Sequence, residues 1–537
     1  MAGEQQKANK IRFNSWEYDG DTDKAEALMK NLIKTGRPVI YRGNVMCWLV
    51  HDDLGIRAEQ MTQKNLLAEL DKANVYLAQR EVPSYAGGKP VKDKDGNIIT
   101  KVIPVPERIP GRVVESAFGL YDKKLYKVRG VMTHPIINKN GEYAAMNGLT
   151  WRDEHIKGVA VKKPLIHVDD GYDPVSGYFF AVPERVTAML EGIQDQKPTA
   201  KEVKEAVEFI GYFLCDFRFA TESAKASAVA FMLTVLCQEV IKEYIPMLEV
   251  RAAVPHSGKS LLVKMMLIAL TGQPPAMFTP NFGELKEFEQ ELFSILLQGQ
   301  NYIFMDNVKG KVESPFLEMA LKSGLARKRV LGASAEATVY SRVPFVMTAN
   351  NPRMSEDMKN RVYLLDIARP PDNTEFTHGS PEEAALEMGP YLLKALFTLY
   401  NNWDKNHKRA PYKGRRMEGF IPWSETVGGI LDAAGMPGFL EDTLKQIKEI
   451  DPQTEQAAAL ARAWHGGIGS AWATVKDSQG FAVTAGYIRG DETEQKKNGV
   501  IAARLETFRN APLPGGYRFE KATDYTRGSK WRVVKDG

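Results

Sequence analysis

Apolar residues recur along this chain at two periods, and the alternation between them predicts its elements. DKAEALMKNLIKTG carries apolar side chains three and four positions apart and stops at a glycine, which predicts an amphipathic helix. RPVIYRGNVMCWLVHD alternates with period two on either side of Gly43-Asn44, the pattern of a strand pair. GGKPVKDKDGNIITK is polar throughout and reads as an exposed hairpin or loop. From 110 to 185 the chain is β-rich, with dense turn chemistry in KNGEYAAMNGL and LIHVDDGYDPVSGYFFAV. AKEVKEAVEFIGYFLCDF and ASAVAFMLTVLCQEVIKEYI then predict helices with broad apolar faces, ended by Pro246. MLEVRAAV reads as a buried strand, and SLLVKMMLIALTG as a helix stopped by Gly272. Near the C-terminus, TEQAAALARAWHGG and KKNGVIAARLETFRN predict helices, and GGYRFEKA and SKWRVVKD predict two short strands, the outline of a winged helix.

These changes of pattern divide the chain into four parts. They are an α+β region at 1–190 for DNA binding, oligomerisation or docking, a helical collar at 191–245, an α/β core at 246–405, and a helical plus winged-helix-like region at 406–537. A length of 537 residues agrees with several domains. The net charge of +4 is small for that length, so a track for nucleic acid has to be local. Cys47, Cys215 and Cys237 lie far apart without a C-x-x-C pair, which argues against a disulfide framework or a structural zinc site. Cys215 and Cys237 sit in apolar helical stretches and read as buried thiols. The polar N-terminus lacks the apolar core of a signal peptide, and no run approaches ~20 apolar residues, so a cytoplasmic protein without a membrane span is expected. His155, His167, Asp169 and Asp170 invite a metal reading, but Asp170-Gly171 and Asp173-Pro174 are turn dipeptides, and the structural turn is preferred. No second carboxylate-rich strand accompanies them to complete a two-metal site.

The chemistry concentrates at VRAAVPHSGKSLLVKMM, residues 250–266. A G-x-x-x-x-G-K-[ST] loop surrounds phosphate oxygens with backbone N–H groups at a helix N-terminus. Gly258, Lys259 and Ser260 supply its second half, whereas Ala253 stands at the first glycine and His256 at a position that many ATPases give to glycine. Alanine serves the first position if φ stays negative there. Histidine is among the non-glycine residues enriched at positive φ, so His256 suits a loop that needs it. Lys259 then reaches the β/γ-phosphates and Ser260 holds Mg2+. Downstream, NYIFMDN (301–307) is an apolar strand ending in Asp306, which suits a carboxylate acting on magnesium through water. RVPFVMTANNP (342–352) is a second apolar strand, ending in Asn350, placed to orient water or to read a γ-phosphate.

AVPHSGKSLL resembles the phosphate loop of superfamily 3 helicases, in which G-P-x-[DN]-[ST]-G-K-[ST] is common; His256 takes the place of Asp or Asn, and Ser257 matches Ser/Thr. FMDNVKG (304–310) resembles that superfamily's Walker B, and LARKRVLGASAEATVYSRVPFVMTANN (325–351) its B′ element and motif C. SEDMKNRVYLLDI (355–367) resembles the segment carrying the arginine finger, which maps onto Arg361. The likeness is nearest to D5-like primase-helicases of phages and mobile elements, which share a GYD…TG turn, here GYDPVSGY (171–178).

The resemblance implies an α/β P-loop (AAA+-like) ATPase core flanked by the α+β N-terminal region and the winged-helix-like C-terminal region. Its implied ligands are ATP and Mg2+, the ion held by Ser260 and Asp306. Ala253, Pro255, His256, Ser257, Gly258, Lys259, Ser260 and Leu261 would bind nucleotide, and Lys259, Asp306, Asn307, Asn350 and Arg361 would carry the chemistry. Arg361 would act on a neighbouring subunit's ATP in a homo-oligomeric ring, expected to be a hexamer. Asn307 replaces a second acid, so Glu287 or another upstream acid activates water, or Asn307 orients it. Arg327, Lys328 and Arg329, at the base of a hairpin around GASAE, would touch the phosphates of single-stranded or forked DNA. The tip lacks the lysine and histidine of viral relatives. Lys496, Lys497, Arg504 and Arg509 form a second basic face, for DNA or simply for solvent. The expected activity is helicase or translocase, with other replication proteins as candidate partners. An ATP-switched origin-binding initiator or scaffold is the alternative, and a bifunctional primase-helicase ranks lower.

Overall fold

Strands that are apolar at nearly every position need cover on both faces. In the computed structural model the middle of the chain meets that need with helices on either side of one sheet. The structure describes residues 11–34, 39–42, 45–52, 55–120, 125–156, 159–166, 168–329, 336–350, 352–371, 374–448, 452–486, 488, 493–511, 513–524 and 528–535. The central region runs β1 (Arg218–Phe219), α1 (Glu222–Cys237), β2 (Met247–Arg251), α2 (Lys259–Thr271), α3 (Leu285–Gln298), β3 (Ile303–Val308), α4 (Pro315–Ser323), β4 (Leu325–Arg329), β5 (Glu336–Tyr340), β6 (Phe345–Ala349), β7 (Val362–Ala368) and α5 (Pro381–Asn401). The sheet order is β1-β7-β2-β6-β3, with β1 antiparallel to β7 and the other four strands parallel. β4 and β5 pair as a separate antiparallel hairpin.

Period-two alternation sends successive side chains of the sheet to opposite cores. Leu248, Val250, Phe304, Val346 and Leu365 pack with α1, α2 and α5, whereas Met247, Ile303, Met305, Phe345, Met347 and Leu364 pack with α3 and α4. α2 is buried at Leu262, Val263 and all of residues 265–270, which explains a sequence that is hydrophobic nearly all round. α5 lies so close to α2 that a Cβ on Gly389 would sit 2.4 Å from the Ala269 carbonyl oxygen, so only glycine fits there.

In the N-terminal region, strand Ile11–Asn14 pairs parallel with Asn74–Pro83, which pairs antiparallel with Thr100–Pro106. Helices Asp21–Lys34, Gln63–Ala73 and Gly111–Leu120 share a core with them around Phe13, Leu28, Leu66 and Val113. Val39–Arg42 and Val45–Asp52 are the expected strand pair, extended by Gly55–Gln60; Gly43 and Asn44 themselves lie outside the described residues. In the GYD turn, the buried Asp173 carboxylate accepts from the N–H groups of Val175 and Ser176 and from the Ser176 hydroxyl. Asp169 and Asp170 lie in a one-turn helix, Val168–Gly171, and Asp169 accepts from the Tyr126 hydroxyl at 2.5 Å. His155 stands on a strand opposite Ala160, and His167 lies outside the described residues. No described helix is long and apolar enough to cross a membrane.

A charge network around the buried Glu239 ties this turn to the central region. Glu239, just after α1, accepts both outer nitrogens of Arg129 at 2.9 and 3.0 Å, and Arg342 at 3.2 Å. Arg129 also donates to the Ser176 carbonyl and lies over the Tyr340 ring at 3.7 Å.

The compact units are residues 1–444 and 445–537. Residues 406–444, which the pattern groups with the C-terminal region, belong to the first unit because helix Ile421–Ala433 sets Trp423 on Tyr363 and donates its indole N–H to Thr234 at 2.9 Å. The second unit holds helices Pro452–Ile468, Gln479–Thr484 and Glu494–Thr507 and the hairpin of Tyr517–Asp524 with Gly528–Lys535. Trp464, Ile501, Leu505, Phe519 and Trp531 form its core.

The buried carboxylates set measurable terms in stability. Glu239→Ala leaves the half-buried Arg129 and Arg342 without their carboxylate and should cost about 1.5–3 kcal/mol in denaturant unfolding, the scale of a lost hydrogen bond to a charged group. Glu249 on β2 is buried, and its Oε2 has no hydrogen-bond partner among the described residues. Burial pushes its carboxyl from 4.5 up to about 7; Arg251 pulls it down and Asp366 pushes it further up. The folded state therefore holds this proton more tightly than the unfolded chain. Its stabilising contribution is complete below pH 4.5, declines as pH rises to about 7, and is absent above that. The advantage of Glu249→Gln over the wild type in thermal midpoint should accordingly grow from pH 5 to pH 8.

Candidate phosphate site

Parallel strands open their carboxyl ends along one edge, and ligands of such sheets bind outside that edge. Arg251 of β2 and Val308 of β3 both pair with Ala349 of β6, so the loop after Arg251, Asp306 and Asn350 emerge together. In the loop, His256 has φ 58° and Gly258 has φ 86°, while Ala253 keeps a negative φ. His256 thus takes the backbone conformation that its type tolerates, and alanine is not strained at its own position. Residues 253–256 are exposed and Ser257 is buried. α2 starts at Lys259 with no side-chain cap, so the amides of its first turn, Lys259, Ser260 and Leu261, have no partner within the helix. Those amides and the helix dipole favour an anion at this position.

The side chains converge there. Lys259 Nζ donates to Asn350 Oδ1 at 2.7 Å and to Ser257 Oγ at 3.3 Å. Partial burial lowers the Lys259 pKa, and Asp306 acts in the opposite direction. Ser260 Oγ donates to Asp306 Oδ1 at 2.5 Å, and Thr348 Oγ1 donates to the same oxygen at 2.6 Å. The Thr348 hydroxyl accepts in turn from the Asn307 N–H at 2.9 Å. This oxygen-only set of Ser260 and Asp306, with Thr348 behind it, fits a hard divalent cation such as Mg2+.

Thr348 is the residue that sequence reasoning misses. The β3–β6 register shifts between Met305 and Val308, a bulge that places Asp306 and Asn307 opposite Thr348 alone. Asn307 takes φ 55°, and the threonine hydroxyl replaces the ladder bond the bulge removes. One polar residue inside FVMTA and an Asp-Asn pair at the end of an apolar strand were the available signals.

The remaining candidates do not join this cluster. Arg361 precedes β7, and its carbonyl accepts the N–H of Met247, the first residue of β2. It therefore lies at the amino edge of the sheet, the length of a five-residue strand from the loop, or roughly 16 Å. Its side chain is only 15% exposed and bonds to the Asp357 carbonyl at 3.0 Å. Glu287 is exposed in the first turn of α3. On the hairpin, Arg327 pairs with Glu336 and Lys328 pairs with Glu289 at 3.0 Å, while Arg329 is exposed without an ion-pair partner among the described residues. The hairpin tip, 330–335, lies outside the described residues. In the second unit Arg509 pairs with Glu506 at 3.0 Å, and Lys496, Lys497 and Arg504 lie on helix Glu494–Thr507.

No family model matches the sequence, and no curated protein matches it. Among solved structures, the apo structure of the NrS-1 C-terminal region (305–718) is similar at 11% identity and a TM-score of 0.41, over 97% of this chain and 100% of that one. The A form apo structure of the same region gives 10% identity and a TM-score of 0.40, over 95% and 98%. Likenesses this distant support no argument about fold or chemistry.

The loop's backbone makes its own prediction. His256→Val places a β-branched residue at positive φ and should weaken the loop by about 1–2 kcal/mol, whereas His256→Gly should not. Native-state amide exchange over residues 252–262 would read the difference.

Proposed function

We propose that this protein is an ATP-hydrolysing DNA helicase or translocase of the superfamily 3 type, acting as a ring in the replication of a phage or mobile element. The observation that carries the reading is the meeting of Lys259, Ser260, Asp306, Thr348 and Asn350 around the uncapped start of α2. In this reading the first-turn amides and Lys259 hold the nucleotide phosphates. Lys259 already spans to Asn350, so an incoming γ-phosphate would insert between the cation and an amide able to orient water. Bound Mg2+ would neutralise phosphate charge, and Ser260 and Asp306 are the residues that would hold it. Asp306 stays aimed through its bond to Thr348.

Arg361 supports a shared site. At the amino edge it is too far to serve the phosphates of its own protomer, and that separation suits a residue acting on a neighbour's nucleotide. A head-to-tail ring, expected to be hexameric, would bring the two edges together. Single-stranded DNA would then pass by the β4–β5 hairpin, with Arg329 as its most available cation.

A second reading, an ATP-switched origin-binding initiator, draws on two observations. Asn307 stands where a second acid would serve as base, and two of the three hairpin cations are held by carboxylates.

The test is complementation. Lys259→Ala and Arg361→Ala should each lower ATP turnover by at least about 100-fold, the scale of losing a group aimed at transition-state charge. Mixed together, the two variants should regain activity, because about a quarter of the interfaces in a random head-to-tail ring pair an intact loop with an intact arginine. Full turnover by Lys259→Ala would remove the nucleotide assignment, and no recovery on mixing would remove the shared site. Strand displacement on a fork supports the helicase; sequence-specific duplex binding without it supports the initiator.

A further inference from the structure

Cys215 and Asp216 follow helix Ala200–Phe213, and His378 lies in the segment before α5, yet their donor atoms gather within 4.8 Å of one another. Cys215 Sγ is 3.8 Å from His378 Nε2 and 3.8 Å from Asp216 Oδ1. A tetrahedral ion that holds sulfur at about 2.3 Å and nitrogen or oxygen at about 2.0 Å sets its ligands about 3.5 Å apart. The two sulfur spacings need a closure of only a few tenths of an ångström, and the Asp216–His378 pair, within 4.8 Å, closes by a side-chain adjustment of up to about 1.5 Å. The carboxylate is already aimed, because Asp216 Oδ1 accepts the backbone N–H of Thr377 at 2.7 Å and Oδ2 accepts that of His378 at 2.8 Å. His378 is buried, its ring edge-on to Tyr212, and Cys215 is exposed, so an ion has an entry path.

We propose that Cys215, Asp216 and His378 form a site for a borderline-soft divalent cation of the Zn2+ type. Thiolate, imidazole and carboxylate together select such an ion over Mg2+ or Ca2+. Binding replaces the thiol proton, which leaves to water, with a sulfur–metal bond and changes no oxidation state. The imidazole carries its proton on Nδ1 in that state, freeing Nε2, which otherwise faces the Tyr212 carbonyl at 3.2 Å. Water, or that carbonyl, takes the fourth position. The ion would pin the 374–380 segment to the end of the collar helix. Phe217, next in the chain, lies beside the phosphate loop, since a Cβ on Gly258 would meet its ring at 3.6 Å. The outermost ligands stand 163 residues apart, a separation that the absence of a C-x-x-C pair conceals.

The full chain, reduced and stripped of metal with a chelator, would be titrated with Co2+. One equivalent should produce a thiolate-to-cobalt charge-transfer band and tetrahedral visible bands, both displaced by Zn2+. Cys215→Ser should abolish the charge-transfer band, and Asp216→Asn should weaken Co2+ binding by at least the roughly 10–100-fold that an outer partner costs a metal site. Cys47→Ser and Cys237→Ser should retain the band, because both thiols are buried elsewhere. In the unaltered protein, Zn2+ should shield Cys215 from alkylation by iodoacetamide, read by peptide mass. A missing saturable band, a band that survives Cys215→Ser, or alkylation of Cys215 unaffected by Zn2+ would each overturn the site.

Discussion

The shared direction of β2, β3, β6 and β7 is the constraint on which the rest of this molecule depends. Parallel strands require crossover helices, and those helices must cover both faces. That requirement accounts for the two alternating cores, the all-round burial of α2 and the close approach at Gly389. The same direction sorts polar residues by strand end. Whatever follows β2, β3 and β6 arrives at one edge, and whatever precedes β7 arrives at the other. Lys259, Asp306 and Asn350 are far apart in sequence and meet only for this reason, and Arg361 is held away from them for the same reason.

Within that frame, buried polar groups act where an apolar strand cannot. The bulge at Asp306-Asn307 breaks the β3–β6 ladder, and Thr348 repairs the break while also bonding the carboxylate. A valine at 348 would fill the same volume, leave the Asn307 N–H without its partner at a cost of about 1–3 kcal/mol, and leave Asp306 Oδ1 with Ser260 as its remaining hydroxyl donor. Glu239 plays a comparable part between the GYD turn and the start of β6, because two arginines from distant segments share one carboxylate. Glu249 differs from both, being buried on the α3/α4 side without such a set of donors among the described residues, and burial shifts its carboxyl up.

The parts of the fold that rest on local patterns were legible in the sequence. The strand before the loop, the helix after it, the Gly272 stop and the positive φ of His256 are each dictated by residue type over a few positions. Contacts between segments remote in sequence were not legible. Nothing in RKR indicates that Lys328 meets Glu289, and nothing near 423 indicates that Trp423 packs on Tyr363 and so carries residues 406–444 into the first unit. The cysteine reading fell short in the same way. Cys215 is exposed, not buried, and its partners are one residue away and 163 residues away.

The ion pairs of the hairpin bear on how the proposed DNA contact could work. Lys328 is fixed on Glu289 of α3, whose other oxygen accepts from Ser314 at the start of α4, and it also lies over Phe316. A phosphate that recruited Lys328 would have to break this arrangement, whereas one that met Arg329 would not. The hairpin base is therefore tied to α3 and α4 rather than presented as a simple cationic rail. α3 leads directly into β3, which carries Asp306, so the hairpin base and that carboxylate are attached to adjoining elements. A coupling between the two sites would need two discrete arrangements of the Lys328–Glu289 contact, with phosphate at the loop and phosphate at the hairpin each shifting the balance between them.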